Sequence, residues 1–177
     1  MKLYVMRHGE TAWNKLKKAQ GRTDIELNET GISQALQAKK EVEKLDIDLI
    51  ISSPLKRAKK TAEIISDNKI KTIFDSRLEE RGFGTLEGSN TETFRWEEFY
   101  NAEKNISTDD VEPVRDLLSR INDFIIEIKE KYTDETLLLV THGGVLRAVN
   151  ACINGVPQDG ILASQGYKNC EIREFNI

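Results

Sequence analysis

The sequence predicts an α/β fold, a three-layer sandwich whose central, mostly parallel sheet is flanked by helices. Two observations predict it. Short apolar runs alternate along the 177-residue chain with longer segments of helical periodicity. The runs are continuously apolar, which is typical of parallel strands buried on both faces. We therefore predict one domain over residues 1–177, in which helices cover both faces of the sheet.

The predicted strands are short and apolar. They cover residues 2–6, 48–52, 71–74 and 136–140. The tail, residues 168–175, is predicted to form a last strand at the edge of the sheet.

Between these strands, apolar residues recur every three or four positions, as in amphipathic helices. Residues that can cap or start a helix precede two of these segments. The predicted helices are 29–45 behind an Asn28 N-cap, a helix from Ser53 and Pro54 (as cap and first residue) to about Ser66, 113–131, and a helix that begins at Gly143 and Gly144.

Residues 89–112 depart from this pattern. The segment is polar and irregular, with seven acidic and two basic residues. Its aromatic residues fall at helical spacing, which favours packing over ligand binding. The alternative that one or two of the rings face an apolar group of the substrate stays open. These aromatic residues are Phe94, Trp96, Phe99 and Tyr100. We predict that the segment is a lid or a small insertion in the main fold.

Composition excludes several classes of protein. With 26 Lys and Arg against 30 Asp and Glu, the net charge is −4 and the signs are interspersed, so no nucleic-acid partner is expected. No stretch approaches the roughly 18 apolar residues of a membrane span. The apolar run before Arg7 is too short to be the apolar core of a signal peptide. We therefore expect a cytoplasmic protein without a membrane partner. Cys152 and Cys170 are predicted to be buried free thiols. The two histidines and two cysteines lack metal-ligand spacing, so no metal and no cofactor is predicted.

Residues with reactive side chains follow three of the predicted strands. The first strand leads into Arg7 and His8, the second is followed by Arg57, and the later one by His142. Ligands of open α/β sheets bind beyond the carboxyl ends of the strands. Both histidines of the chain are therefore expected at the same rim of the sheet, beside two arginines.

These residue types favour phosphoryl transfer. A histidine can accept a phosphoryl group as a nucleophile, and the planar fork of an arginine binds phosphate oxygens in pairs. A helix that begins at Gly143 would add positive potential. A carboxylic acid could supply the proton that a leaving alkoxide needs. The sequence therefore predicts a phosphoryl-transfer site at this rim.

Sequence blocks spread over nearly the whole chain carry a further signal. In order, they are RHGETAWN (7–14), QGRTDIELNETG (20–31), SSPLKRAKKTAEII (52–65), LEERGFGTLEG (78–88), VTHGGVLRAV (140–149) and KNCEI (168–172). These blocks resemble, in the same order, those of the histidine phosphatase superfamily, which includes cofactor-dependent phosphoglycerate mutases and many small phosphatases.

The resemblance implies roles for individual residues. His8 would be the nucleophile that becomes phosphohistidine. Glu80 rather than Glu79 would be the proton donor, because the family's acid lies four positions before the glycine matched by Gly84. The implied catalytic residues are His8, Glu80, His142, Arg7 and Arg57. The implied phosphate-binding residues are Arg7, Asn14, Gln20, Gly21, Arg57, His142 and Gly143.

The resemblance leaves the reaction itself open. Mutases of the family resemble longer chains whose inserted region supplies basic residues over the pocket, whereas residues 89–112 contain only Arg95 and Lys104 as basic residues. This difference favours a phosphatase that hydrolyses a small metabolite phosphomonoester. The alternatives are a cofactor-dependent phosphoglycerate mutase and a catalytically silent module that binds phosphoesters.

The substrate is not predicted. Small members of the family include phosphatases that act on α-ribazole phosphate, sugar phosphates and phosphoglycerates. Arg22, Arg81 and Arg147 either bind a carboxylate or second phosphate of the substrate or are surface charges. The sequence does not indicate the oligomeric state.

Overall fold

The computed structural model describes residues 2–164 and 166–177. Its strands are β1 (Lys2–Arg7), β2 (Leu49–Ser52), β3 (Lys71–Phe74), β4 (Leu137–Thr141) and β5 (Ile172–Asn176). They form one sheet in the order β3–β2–β4–β1–β5, in which β5 is antiparallel to β1 and the other neighbours are parallel. The predicted fold class is confirmed, and so is the edge position of the C-terminal strand.

Most of the helices lie where the periodicity predicts them, with ends that differ by a few residues. They are α1 (Ala12–Lys15), α2 (Glu29–Val42), α3 (Lys56–Ser66), α4 (Trp96–Phe99), α5 (Val114–Lys131) and α6 (Gly143–Asn154). The Oδ1 atom of Asn28 accepts a 2.8 Å hydrogen bond from the Gly31 amide, which confirms the predicted cap of α2. The short helices α1 and α4 were not predicted.

The predicted start of α3 is wrong. Leu55, not Ser53, is the N-cap residue, and the helix begins at Lys56. The Ser53 hydroxyl accepts only a 3.3 Å hydrogen bond from the Leu55 amide within this segment. The same hydroxyl lies 2.8 Å from Nε2 of His142. The side chain expected to cap the helix therefore contacts a residue from a distant part of the chain.

The sheet is buried on both faces, which explains its continuous apolar runs. Leu137 and Leu139 of β4 pack against a core that includes residues of α5 and α6. Leu138 and Val140 point the other way, into a core that includes residues of α2 and α3. All four leucine and valine side chains have no exposed surface. This two-sided packing fixes the strand ends from which the site is built.

Residues 89–112 are held to the main fold at several points. The Thr91 amide donates to the Lys17 carbonyl at 2.7 Å, and the Leu162 amide donates to the Tyr100 carbonyl at 2.9 Å. The predicted aromatic packing is present, since the rings of Phe94 and Phe99 stack with centroids 5.1 Å apart. The segment therefore has a defined conformation built on its aromatic residues.

Two further predictions can be compared with the described residues. Cys152 and Cys170 are free, but both are half-buried and not fully buried. Burial raises the pKa of the Cys152 thiol to about 11, so it is protonated at neutral pH. Within residues 2–164 and 166–177, no helix has the length and apolar character needed to span a membrane.

Candidate active site

The strand ends bring the two histidines together at one rim of the sheet. The His8 amide donates to the Thr141 carbonyl at 2.9 Å, and the Ser53 amide donates to the Val140 carbonyl at 3.0 Å. These bonds continue the pairing of β4 with β1 and β2 beyond the strands. As a result, the imidazole centroids of His8 and His142 lie 5.1 Å apart.

An open cavity of about 360 Å³ lies over this rim. The predicted site residues that line it are Arg7, His8, Asn14, Gln20, Gly21, Arg57, Glu80 and Gly143. His142 does not line it. Among the other lining residues are Trp13, Trp96, Tyr100, Gly144, Arg147 and Tyr167.

The hydrogen bonding of His8 leaves one ring nitrogen available. Its Nδ1 atom lies 2.6 Å from the Gly9 carbonyl oxygen, which can only accept, so Nδ1 carries the proton. The lone pair of the neutral ring is then on Nε2. Burial, followed by the charges of Arg57 and Arg7, holds the pKa of His8 well below its usual value. His8 is therefore a neutral imidazole at physiological pH, the form that a nucleophile requires.

Both ring nitrogens of His142 are engaged within the protein. Nε–H of Arg57 donates to Nδ1 at 3.2 Å, which places the proton on Nε2, and Nε2 donates to the Ser53 hydroxyl at 2.8 Å. The side chain has no exposed surface. Burial and the nearby Arg57 charge keep the pKa of His142 well below its usual value. His142 therefore lies next to Arg57 at the site, but neither of its ring nitrogens faces the cavity.

The two predicted arginines are anchored by backbone carbonyl groups. Nη1 and Nη2 of Arg57 donate to the carbonyls of Thr23 and Gly21 at 2.8 and 2.6 Å. Nη1 of Arg7 donates to the Tyr167 carbonyl at 2.6 Å, while its buried Nε has no hydrogen-bond partner among the described residues. Burial lowers the pKa of Arg57 to about 10, so the group stays cationic at neutral pH. Two fixed positive charges therefore border the cavity beside His8.

Glu80 faces the cavity and Glu79 does not. The Arg81 amide donates to Oε1 of Glu80 at 2.9 Å, and the Gly144 amide donates to Oε2 at 3.1 Å. Glu79 instead approaches Arg22, with 3.8 Å between the carboxylate and Nε. Two backbone donors thus fix the carboxyl group of Glu80 at the start of α6.

The remaining predicted residues belong to the wall of the cavity. The Oδ1 atom of Asn14 accepts from the Thr11 amide at 3.1 Å, and the Oε1 atom of Gln20 accepts from the Thr11 hydroxyl at 3.0 Å. Their amide nitrogens are donors and suit a phosphate. Gly21 has a φ of +50°, and a Cβ there would lie 2.0 Å from the Glu87 carboxylate, so only glycine fits.

The three arginines of unassigned role lie in different surroundings. Arg22 is half-exposed, with its Nη2 atom 3.4 Å from the Glu112 carboxylate. Arg81 is fully buried, and its Nε donates to the Glu112 carbonyl at 2.7 Å. Arg147 lines the cavity. Only Arg147 of the three is therefore in a position to meet a substrate there.

Comparison with known proteins identifies the family of this chain. The family model described as Histidine phosphatase superfamily (branch 1) matches residues 3–177. The chain belongs to this superfamily. It is 36% identical over 154 residues to the uncharacterized phosphatase PhoE of Bacillus subtilis, covering 85% of this chain and 76% of PhoE. It is 34% identical over 164 residues to the probable phosphoglycerate mutase GpmB of Escherichia coli, covering 89% of this chain and 76% of GpmB.

A solved structure extends the comparison. Mycobacterial glucosyl-3-phosphoglycerate phosphatase, in complex with VO3, superimposes with a TM-score of 0.87 at 27% identity, covering 98% of this chain and 91% of that chain. Membership of the histidine phosphatase superfamily, together with these relatives, indicates phosphatase activity.

Sequence reasoning missed several residues that shape this histidine phosphatase site. Gly144 donates to Glu80, and Tyr167 holds Arg7. Glu87 accepts from the amides of Arg22 and Phe83 at 2.9 and 3.0 Å and thereby fixes the loop at Gly21. Tyr167 carries no local signal, because its carbonyl group meets Arg7, 160 residues away. The bond of Glu87 to the Arg22 amide likewise joins residues 65 positions apart. Gly144 is only two residues after His142, and this proximity was the signal available in the sequence.

The lowered pKa values of the two histidines predict that acid destabilises the fold. An unfolded chain protonates both rings below about pH 6.5, whereas the folded protein keeps them neutral, so stability falls as pH drops through this window. We expect the free energy of unfolding to decrease by about 2 to 3 kcal/mol between pH 7.5 and 5.5, which urea denaturation would measure. His142→Gln should show about half of this decrease. An unfolding free energy that is constant over this range would contradict the assignment.

Proposed function

We propose that this chain is a metal-independent phosphomonoesterase that hydrolyses a small metabolite phosphate through a phosphohistidine intermediate on His8. The observation that carries the proposal is the donation from Nδ1 of His8 to the Gly9 carbonyl, which leaves the Nε2 lone pair for attack. Arg7 and Arg57 supply the positive charge that a phosphoryl group needs. The cavity of about 360 Å³ suits a small substrate and not a polyanion.

In the first step, Nε2 of His8 attacks the phosphorus atom and the bond to the ester oxygen breaks. Glu80 lines the same cavity and gives its proton to the leaving oxygen, which departs as an alcohol. Arg7 and Arg57 balance the charge on the phosphoryl oxygens, since both are cationic and fixed in place. The products of this step are the free alcohol and a phosphoryl group on His8.

In the second step, water attacks the phosphorus atom from the side that the alcohol has left. The Glu80 carboxylate takes a proton from this water as the bond between phosphorus and Nε2 breaks. Inorganic phosphate is released, Glu80 is protonated again and His8 returns to its neutral form.

Water is the proposed acceptor because residues 89–112 provide no cation to the cavity. Arg95 lies 3.7 Å and Lys104 lies 3.0 Å from the Glu98 carboxylate, and neither lines the cavity. A phosphoglycerate mutase is the second candidate, supported by the likeness to GpmB. The phosphate-binding residues and His8 are all present, so a catalytically silent module is the weakest of the three candidates.

The decisive experiment supplies 3-phosphoglycerate and p-nitrophenyl phosphate to the protein in the presence of EDTA. We expect inorganic phosphate to be released from both, with no 2-phosphoglycerate, and an acid-labile phosphoryl group on His8 in rapidly quenched samples. Isomerisation that depends on bisphosphoglycerate would instead establish a mutase. Loss of activity in EDTA, restored by a divalent cation, would contradict the metal-independent mechanism. Binding of phosphoesters without turnover would establish the silent module.

A further inference from the structure

The cavity contains a third arginine that the proposed reaction does not use. Arg147 lies one helical turn after Gly143 in α6, and its Nη1 atom donates to the Gly143 carbonyl at 3.2 Å. Its Nε is buried and has no hydrogen-bond partner in the described part of the chain. No carboxylate of residues 2–164 or 166–177 forms an ion pair with it within 4 Å. None of the described carboxylates therefore pairs with Arg147 directly.

Two tyrosine rings hold the guanidinium group of Arg147. Its Cζ atom lies 4.9 Å from the ring centroid of Tyr100 and 5.9 Å from that of Tyr167. Cation–π contacts fix the faces of a guanidinium and leave its N–H edge to make hydrogen bonds. Because Arg147 also lines the cavity, its N–H groups on that side can bind a ligand carboxylate. Arg147 is thus held in place for an anion that the protein does not supply.

The position of Arg147 identifies which part of a substrate it would meet. A Cβ at Gly144 would lie 2.4 Å from Oε1 of Glu80 and 2.5 Å from the Tyr100 hydroxyl, so these two oxygens are neighbours. Arg147 stacks on that same Tyr100 ring. Since Glu80 protonates the leaving oxygen in the proposed mechanism, the leaving group lies on this side of the cavity, next to Arg147.

Arg147 is also close to the phosphate-binding Arg7. A Cβ at Gly143 would lie 3.5 Å from Nη1 of Arg147 and 3.7 Å from Nε of Arg7. An anionic group bound by Arg147 would therefore lie only a few bonds from the phosphoryl group in the substrate. A carboxylate matches the edge of a single guanidinium group, with which it forms two parallel hydrogen bonds.

We infer that Arg147 is a specificity-determining residue that binds a carboxylate on the leaving group, so that the substrates are phosphomonoesters of small hydroxy acids. This inference rests on the proposed hydrolysis at His8 and adds the substrate class to it. Arg22 and Arg81 do not take this role, because Arg22 is paired with acidic residues outside the cavity and Arg81 is bonded to backbone carbonyls.

The test compares substrates that differ only in the carboxylate. The pairs are 3-phosphoglycerate with glycerol 3-phosphate, and phosphoserine with phosphoethanolamine. We expect the wild-type protein to favour the carboxylate-bearing member of each pair in kcat/KM. Arg147→Gln should reduce this preference by about tenfold or more, mainly through KM, and Arg147→Lys should retain part of it. Arg22→Gln, which removes an exposed arginine outside the cavity, is the matched control and should keep the wild-type preference.

Several results would overturn the inference. Equal losses for both members of a pair in Arg147→Gln would place Arg147 on the transferred phosphoryl group. An absence of preference in the wild-type protein would exclude carboxylate recognition. A loss of preference in Arg22→Gln would show that Arg147 is not the residue that determines it. The proposed function fails separately, if the wild-type protein releases no phosphate from any of these esters or from p-nitrophenyl phosphate. Thermal unfolding of each variant confirms that the compared proteins are folded.

Discussion

Replacement of His8 by asparagine is expected to lower kcat for p-nitrophenyl phosphate by a factor on the order of 10³ or more. The asparagine amide can still donate to the Gly9 carbonyl, in place of Nδ1, but it has no lone pair at the position of Nε2. Because Arg7 and Arg57 are unchanged, the variant should still bind inorganic phosphate, with a Kd within a few-fold of the wild-type value. Steady-state kinetics and phosphate-competition binding would measure the two effects separately.

His142→Gln is the matched control, since glutamine can accept from Arg57 and donate to Ser53 as the imidazole does. A clearly smaller loss of kcat is expected, because no ring nitrogen of His142 faces the cavity. If this variant were as inactive as His8→Asn, His142 would have a direct part in the chemistry. If His8→Asn kept activity within about tenfold of wild type, the phosphohistidine mechanism would be refuted.

The strand ends could be predicted from the sequence because they depend on local pattern. Residues 3–6 of β1 and 137–140 of β4 are apolar, and Arg7 and Thr141 follow them. Burial on both faces of the sheet explains this pattern. The cap at Asn28 was also predictable, since its partner is only three residues away. These local features were enough to place His8, Arg57 and His142 at one rim of the sheet.

The roles of individual side chains at that rim depend on contacts between distant residues. Ser53 has the sequence context of a helix cap, yet its hydroxyl binds His142, which is 89 residues away. Arg22, Arg81 and Arg147 are chemically identical in the sequence. The structure pairs Arg22 with acids, buries Arg81 against backbone carbonyls and leaves Arg147 in the cavity. No spacing rule distinguishes these surroundings, because each is set by tertiary packing.

The second large effect is expected for Gly144→Ala. The added Cβ would lie 2.4 Å from Oε1 of Glu80 and 2.5 Å from the Tyr100 hydroxyl, distances at which the carboxyl group or the ring must move. Glu80 would then lose its 3.1 Å hydrogen bond from the Gly144 amide. We expect kcat/KM for alkyl phosphates, whose leaving alkoxide needs a proton, to fall by about 10²-fold or more.

A comparison of two esters with different leaving groups distinguishes the loss of proton donation from general damage to the site. p-Nitrophenolate departs without a proton, so its ester should lose much less activity in Gly144→Ala than glycerol 3-phosphate does. Gly82→Ala is the control in the adjacent acid loop, because a Cβ there would meet its nearest neighbours at an ordinary 3.8 Å. Equal losses for both esters would mean that Gly144 supports the site as a whole. Unchanged hydrolysis of glycerol 3-phosphate would show that Glu80 does not need this position to deliver its proton.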